Sequence, residues 1–169
     1  MSTLGFPYID HIVEQLVNEQ ASRTNMAINT RPVENVTGSS ITVTEGETGK
    51  LFLLNRAAGI AVALPAITES NVGMSFEFYV GTTFSGGSGV ITAQSGDLLT
   101  GSVTQYDGDT SEAVAHRKPD GSDDLITTFN GTTTGGIAGT IVRFVATSST
   151  SWLVTGNALA TGSVATCFS

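Results

Sequence analysis

Short β-prone apolar runs separated by polar turns recur along most of this chain, and an apolar stripe of helical period stands only near its start. The cleanest alternation lies over 74–81, where Phe76, Phe78 and Val80 point one way and Glu77 and Tyr79 the other. That is the pattern of a half-buried strand. A second alternating segment covers 60–64, with Ile60, Val62 and Leu64 against Ala61 and Ala63, and Pro65 ends it. Strands are also expected over 40–44, 50–55, 90–94, 98–105, 113–117 and 125–129. Ser95-Gly96-Asp97 between two of them reads as the turn of a hairpin. Over 140–145 β-branched and aromatic residues dominate, 148–151 is a polar turn, and 152–156 returns. Trp152, the single tryptophan, and Phe144 are assigned to the core, because large aromatic rings bury the most area.

Residues 1–35 follow a different rule. Ile9, Ile12, Val13, Leu16 and Val17 fall at i, i+3, i+4, i+7 and i+8, one stripe of a short helix. Pro7 and Asp10 suit its first turn. A helix of about three turns is marginal in water by itself, so it must dock, on its own domain or on a neighbouring subunit. Residues 21–36 show no period, and Pro32 stops any helix there, so this stretch reads as an extended connector. The expected organisation is an N-terminal arm with helix and linker over 1–35 and one β domain over 36–169.

The strand count, about ten at the ~8–12-residue spacing of sandwiches and barrels, points to an all-β fold. The expected architecture is a two-sheet antiparallel sandwich of jelly-roll type, with no internal period of the solenoid kind. The composition agrees: 20 glycines, 40% hydrophobic residues and only 13% charged residues, against about 25% in ordinary domains. A formal net charge of −8, with no cluster of lysine or arginine, argues against nucleic-acid binding, which needs several cations together. No apolar run reaches the ~18 residues of a membrane span, and the start lacks the pattern of a signal peptide. Synthesis and solubility in the cytoplasm are the expectation.

Candidate chemistry is sparse. One cysteine, Cys167, excludes an intrachain disulfide, and beside Phe168 it reads as a small buried hydrophobe. His11 and His116 have no metal-ligand spacing. Asp107 and Asp109, and Asp120, Asp123 and Asp124, form two acidic loops; solvated loop acids are the bland reading and calcium the sharper one. The sequons at Asn35 and Asn130 read as chance without a secretory signal. Arg56 and Arg143 stand beside apolar strands, either pairing with an acid across an interface or snorkelling at a sheet edge. No cofactor, no metal and no enzymatic activity are expected.

One stretch carries a resemblance. Asn130-Gly-Thr-Thr-Thr-Gly-Gly-Ile-Ala-Gly139, the apolar strand after it, Trp152-Leu-Val-Thr-Gly156 and the Thr161-Gly-Ser-Val-Ala-Thr-Cys-Phe-Ser169 end resemble small head-decoration (cement) proteins of tailed bacteriophages. Residues 54–65 and 76–83 are similar to the same group, so the likeness spans about 50–169. The end departs from the group: Ala165-Thr-Cys167-Phe168-Ser169 lacks the proline expected before the phenylalanine. The motifs are structural. The resemblance implies a virion protein on the outer surface of an icosahedral head. It would be a homotrimer that binds the major capsid protein and clamps neighbouring capsid subunits. Contact with the shell or with neighbouring subunits is assigned to Phe6, Tyr8, Ile12 and Leu16, with Arg23 and Arg31 from the connector. A second reading is a receptor- or carbohydrate-binding module on a tail or fibre, which needs an exposed aromatic patch; Tyr79, Tyr106 and Phe84 are its candidates. An enzyme comes last, because no convergent acid or Ser/His set is in view.

Overall fold

A computed structural model describes residues 31–109, 113–120 and 126–169. Pro32–Ser169 is one compact unit whose regular elements are strands and two short 3-10 turns. The arm helix expected over residues 9–17 lies outside the described residues. The extended connector ends earlier than expected, because the chain enters a sheet at Val33.

Among the described residues eleven strands form two sheets. In chain order they are β1 (Val33–Val36), β2 (Ser40–Thr42), β3 (Leu51–Leu54), β4 (Ala61–Ala63), β5 (Ser75–Val80) and β6 (Gly89–Thr92). Then follow β7 (Leu98–Asp107), β8 (Val114–Arg117), β9 (Ile126–Phe129), β10 (Ile141–Ser148) and β11 (Ser151–Ala160). The larger sheet has the order β1-β3-β5-β10-β11-β7-β8 and the smaller β2-β4-β6-β9.

The two-sheet, all-β expectation is met, but an antiparallel jelly roll is not what the strands form. Pairs β1–β3, β3–β5, β2–β4, β4–β6 and β11–β7 are parallel; β5–β10, β10–β11, β7–β8 and β6–β9 are antiparallel. The reason is the path of the chain. From β1 to β6 each strand lies in the sheet opposite the one before it. A strand that returns to its sheet after a full coil runs in its former direction. The long crossover that a parallel pair requires is thus supplied by a strand of the other sheet rather than by a helix.

These coils repeat in sequence, against the expectation of no solenoid-type period. Thr44-Glu45 and Gly49, followed by Phe52, match Thr68-Glu69 and Gly73, followed by Phe76. Each threonine opens a 3-10 turn, Glu45–Glu47 or Glu69–Asn71, in which the third residue's side chain reaches back to the threonine amide. That reciprocal bond satisfies a turn-end donor. The two turns stack: Asn71 Nδ2 donates to Glu45 Oε1 at 2.8 Å, and Gly49 N donates to Ser75 O at 2.7 Å.

The core lies between the sheets. Phe52 pairs with Phe78 in register, the rings stacked at 5.2 Å, and Phe78 meets Phe144 edge-on at 5.8 Å. Trp152 packs on Phe76 at 5.9 Å, and both are fully buried, as expected for the tryptophan and for Phe144. Val36, Leu54 and Val80 continue the inner ladder of the larger sheet. Ile41, Val62 and Ile91 make the facing ladder of the smaller. The alternations at 60–64 and 74–81 therefore point as their sequence says.

The hairpin expected around Ser95-Gly96-Asp97 is not one. Strand β6 belongs to the smaller sheet and β7 to the larger, so this turn is a corner between sheets. Asp97 holds it from inside, its buried carboxylate accepting the Ile67 amide at 3.2 Å. The hairpin over β10 and β11 does form, with a register shift between Ala146 and Ser148.

Candidate functional site

Residues 130–139 build a turn. The Asn130 side chain organises it. Its Oδ1 accepts the amides of Thr132 and Thr134 at 2.9 and 3.1 Å, and its Nδ2 donates to Thr133 Oγ1 at 2.9 Å. The Asn130 amide donates to Thr134 Oγ1 at 2.9 Å, and Gly131 N to Gly135 O at 2.7 Å. An Asx-type knot of this kind needs Asn at its head and short hydroxyl residues after it. Gly131 has φ +76°, and a Cβ there would meet the Phe84 carbonyl. Thr140, fully buried, closes the far side, its Oγ1 accepting the amides of Gly136 at 3.2 Å and Leu159 at 2.9 Å. The motif fixes how β9 hands the chain to β10.

Of the residues assigned to shell or subunit contact, Phe6, Tyr8, Ile12, Leu16 and Arg23 lie outside the described residues. Arg31 is exposed just before β1. Asp107 is buried and its Oδ1 accepts the Asp109 amide at 3.1 Å, which makes it a turn former. Asp120 is exposed, and Asp123 and Asp124 lie outside the described residues. Among the described residues no group of three or more His, Cys, Asp or Glu is placed to hold a metal ion. His116 is exposed on β8, its Nδ1 3.1 Å from Thr104 Oγ1. Cys167 is buried, as its sequence context implies.

The two arginines are placed differently. An Arg56 guanidinium nitrogen donates to the Gly59 carbonyl and so closes its own turn. Arg143 is exposed on β10, with Glu77 opposite it on β5.

One charged cluster was not visible in the sequence. Lys50 Nζ donates to Glu34 Oε2 at 2.7 Å and to Glu47 Oε1 at 2.6 Å, with the ammonium 5.5 Å from the Phe52 ring centre. The bond to Glu34, then the bond to Glu47, hold the Lys50 pKa above its ordinary value. Burial works to raise Glu47, but hydrogen bonds from Lys50 and Thr44 outweigh it, so its pKa is lowered. The cluster ties β1 to β3 across the open end of the coils; the only signal for it would have been the coil repeat itself.

The aromatic candidates separate. Phe84 is buried and leaves the surface set. Tyr79 and Tyr106 both face outward on the larger sheet, but on β5 and β7, three strands apart. At ~4.8 Å per strand that is about 14 Å, too far for one sugar platform. The exposed large hydrophobic residues among those described are Val33, Val72, Tyr106 and Val114. Three of these four lie at the two ends of the larger sheet: Val33 on β1, and Tyr106 opposite Val114 on β7 and β8. No helix among the described residues is long and apolar enough to cross a membrane. No protein-family model, curated protein or solved structure matches the chain.

Proposed function

We propose that this chain is a structural protein of a virion: a decoration protein that binds the outside of an icosahedral phage head as a trimer and reinforces contacts between major capsid subunits. The observation that carries this reading is the placement of Val33, Tyr106 and Val114. Val33 and Val114 sit exposed on the two edge strands of the larger sheet, with Tyr106 opposite Val114 on the adjoining strand. An exposed apolar edge is a place where another chain is received, because both its side chains and its free backbone groups gain by being covered. The motif of 130–139 supports the same reading, since its side chains serve the turn itself. A non-catalytic role, a shell partner and a place on the virion surface belong to this proposal. The arm ahead of β1, with its apolar stripe over residues 9–17, is the proposed shell anchor, and three arms on one trimer multiply a weak contact into firm attachment.

The test is the native mass of the full chain, together with its co-sedimentation with empty phage heads, beside a form that begins at Arg31. A trimer that binds heads only with its arm present is the expected result. A monomer that leaves heads bare refutes the reading, and glycan binding becomes the next assay.

A further inference from the structure

We propose that the two edges of the seven-stranded sheet, β1 and β8, pair with each other between copies of this chain, head to tail, so that the sheet continues from one subunit into the next. The inference deepens the decoration reading, on which the ring size of three rests.

Among the described residues the two sheets have four edges, and two of them are open to accept a strand. Strand β9 is already covered: Phe168 bridges Thr127, and Thr128 N donates to Cys167 O at 2.7 Å. Strand β2 has three residues and shows exposed Ser40 and Thr42 at its ends. Strands β1 and β8 each have four residues and carry exposed valines, Val33 at 61% and Val114 at 57%. Tyr106, 40% exposed, stands beside Val114.

Backbone direction singles out the same residues. Pro32 O and Val36 O accept the amides of Leu51 and Asn55 at 2.9 and 2.8 Å. By alternation, Val33 and Asn35 turn their N–H and C=O groups away from β3, toward the outside. On β8, Ala113 O accepts the Asp107 amide at 2.8 Å, so Val114 and His116 are the residues whose backbone groups face outward. None of these four outward positions is a lysine or a proline, the residues that commonly block an edge.

The partner follows from strand sense. Along the larger sheet β1, β3 and β5 run one way, β10 the other, β11 and β7 the first way, and β8 the reverse. Copies related by rotation about an axis along the strands keep their strand directions. Such a rotation sets β8 of one copy antiparallel to β1 of the next, the better of the two pairings. The outward backbone positions of both strands also carry their side chains on the outer face, so a continuous sheet keeps one face throughout. A contact between two different surfaces closes into a ring when the rotation closes.

Cross-linking tests this in the full chain with Cys167→Ala. Val33→Cys protein is mixed with Val114→Cys or with His116→Cys protein, the two registers a short antiparallel overlap allows, and oxidised. Facing Cα atoms across such a pair are ~5.5 Å apart, within disulfide reach. The expected result is a disulfide between the two different proteins in one register, and none within either protein alone. Val33→Lys and Val114→Lys, each at an exposed site, are expected to shift the native mass from three copies to one while the circular dichroism of the fold is unchanged. A disulfide within Val33→Cys protein alone means two-fold pairing of β1 and overturns the head-to-tail contact. A trimer that cross-links in neither register is built through another surface; it overturns this inference and leaves the decoration reading standing. A monomer at every concentration overturns the inference too, and its binding or not binding to empty heads then decides the decoration reading separately.

Discussion

Replacing Phe78 by alanine probes the centre of the fold. The ring is fully buried, lies in register with Phe52 on one side and Val142 on the other, and touches both Phe52 and Phe144. Truncating a buried Phe costs about 3–5 kcal/mol through lost transfer energy and the cavity left behind. Two aromatic contacts, at about 0.5–1.5 kcal/mol each, place this site at the upper end, about 4–5 kcal/mol. Domains of ordinary stability have only about 5–15 kcal/mol in hand. At about 3–5 °C per kcal/mol, the variant melts some 12–25 °C lower. The assay is urea unfolding followed by fluorescence of Trp152, the single tryptophan, which reports on this core through Phe76. Tyr79→Ala, one residue along and on the half-buried outer face, is the comparison, expected to cost about 1–2 kcal/mol. If the two variants lose stability within about 0.5 kcal/mol of each other, the assignment of inner and outer faces is wrong. A Phe52/Phe78 double-mutant cycle with leucines should return a coupling of about 0.5–1.5 kcal/mol, and additivity would remove the stacking argument.

Other outcomes follow from the same structure. Gly131→Ala should prevent folding or cost more than about 3 kcal/mol, because a Cβ there sits 1.7 Å from Phe84 O; Gly49→Ala, at φ +81° in open space, should cost only about 1–2 kcal/mol, and the two melting curves test the difference. The Lys50 cluster gives stability a defined pH window. Glu47 has a lowered folded pKa, so its contribution is present above the unfolded value of about 4.3 and is lost as pH falls through the folded one. Lys50 has a raised pKa, so its contribution is complete below about 10.4 and is lost as pH rises through the folded value. Lys50→Met should flatten both limbs of a stability–pH curve, with a change below about 1 kcal/mol at neutral pH because the pair is partly solvated. Cys167 should resist a thiol reagent in the native protein and react fully in denaturant; rapid native labelling would contradict its burial.

What the sequence determined by itself was local: which residues form strands and which face of each strand is buried. Phe76, Phe78 and Val80 against Glu77 and Tyr79 is a statement about a period of two, and a pleated backbone turns it directly into inside and outside. Trp152, Phe144 and Cys167 were legible for a similar reason, since their size and apolarity place them inside. Only the tertiary structure decided which strands pair and in which sense. Ser95-Gly96-Asp97 says that the chain turns, yet a turn into the same sheet and a turn into the facing sheet use the same residues. What decides is the buried bond from Ile67 to Asp97, thirty residues apart. The parallel coils were half visible in the repeat of Thr44-Glu45 with Gly49 and Thr68-Glu69 with Gly73, a signal too brief to separate from ordinary turn chemistry. The candidate interaction edges were not visible at all. Val33 stands in a stretch whose sequence reads as connector and Val114 in a weakly marked strand, and a residue becomes an edge only when the whole order of the sheet places it there.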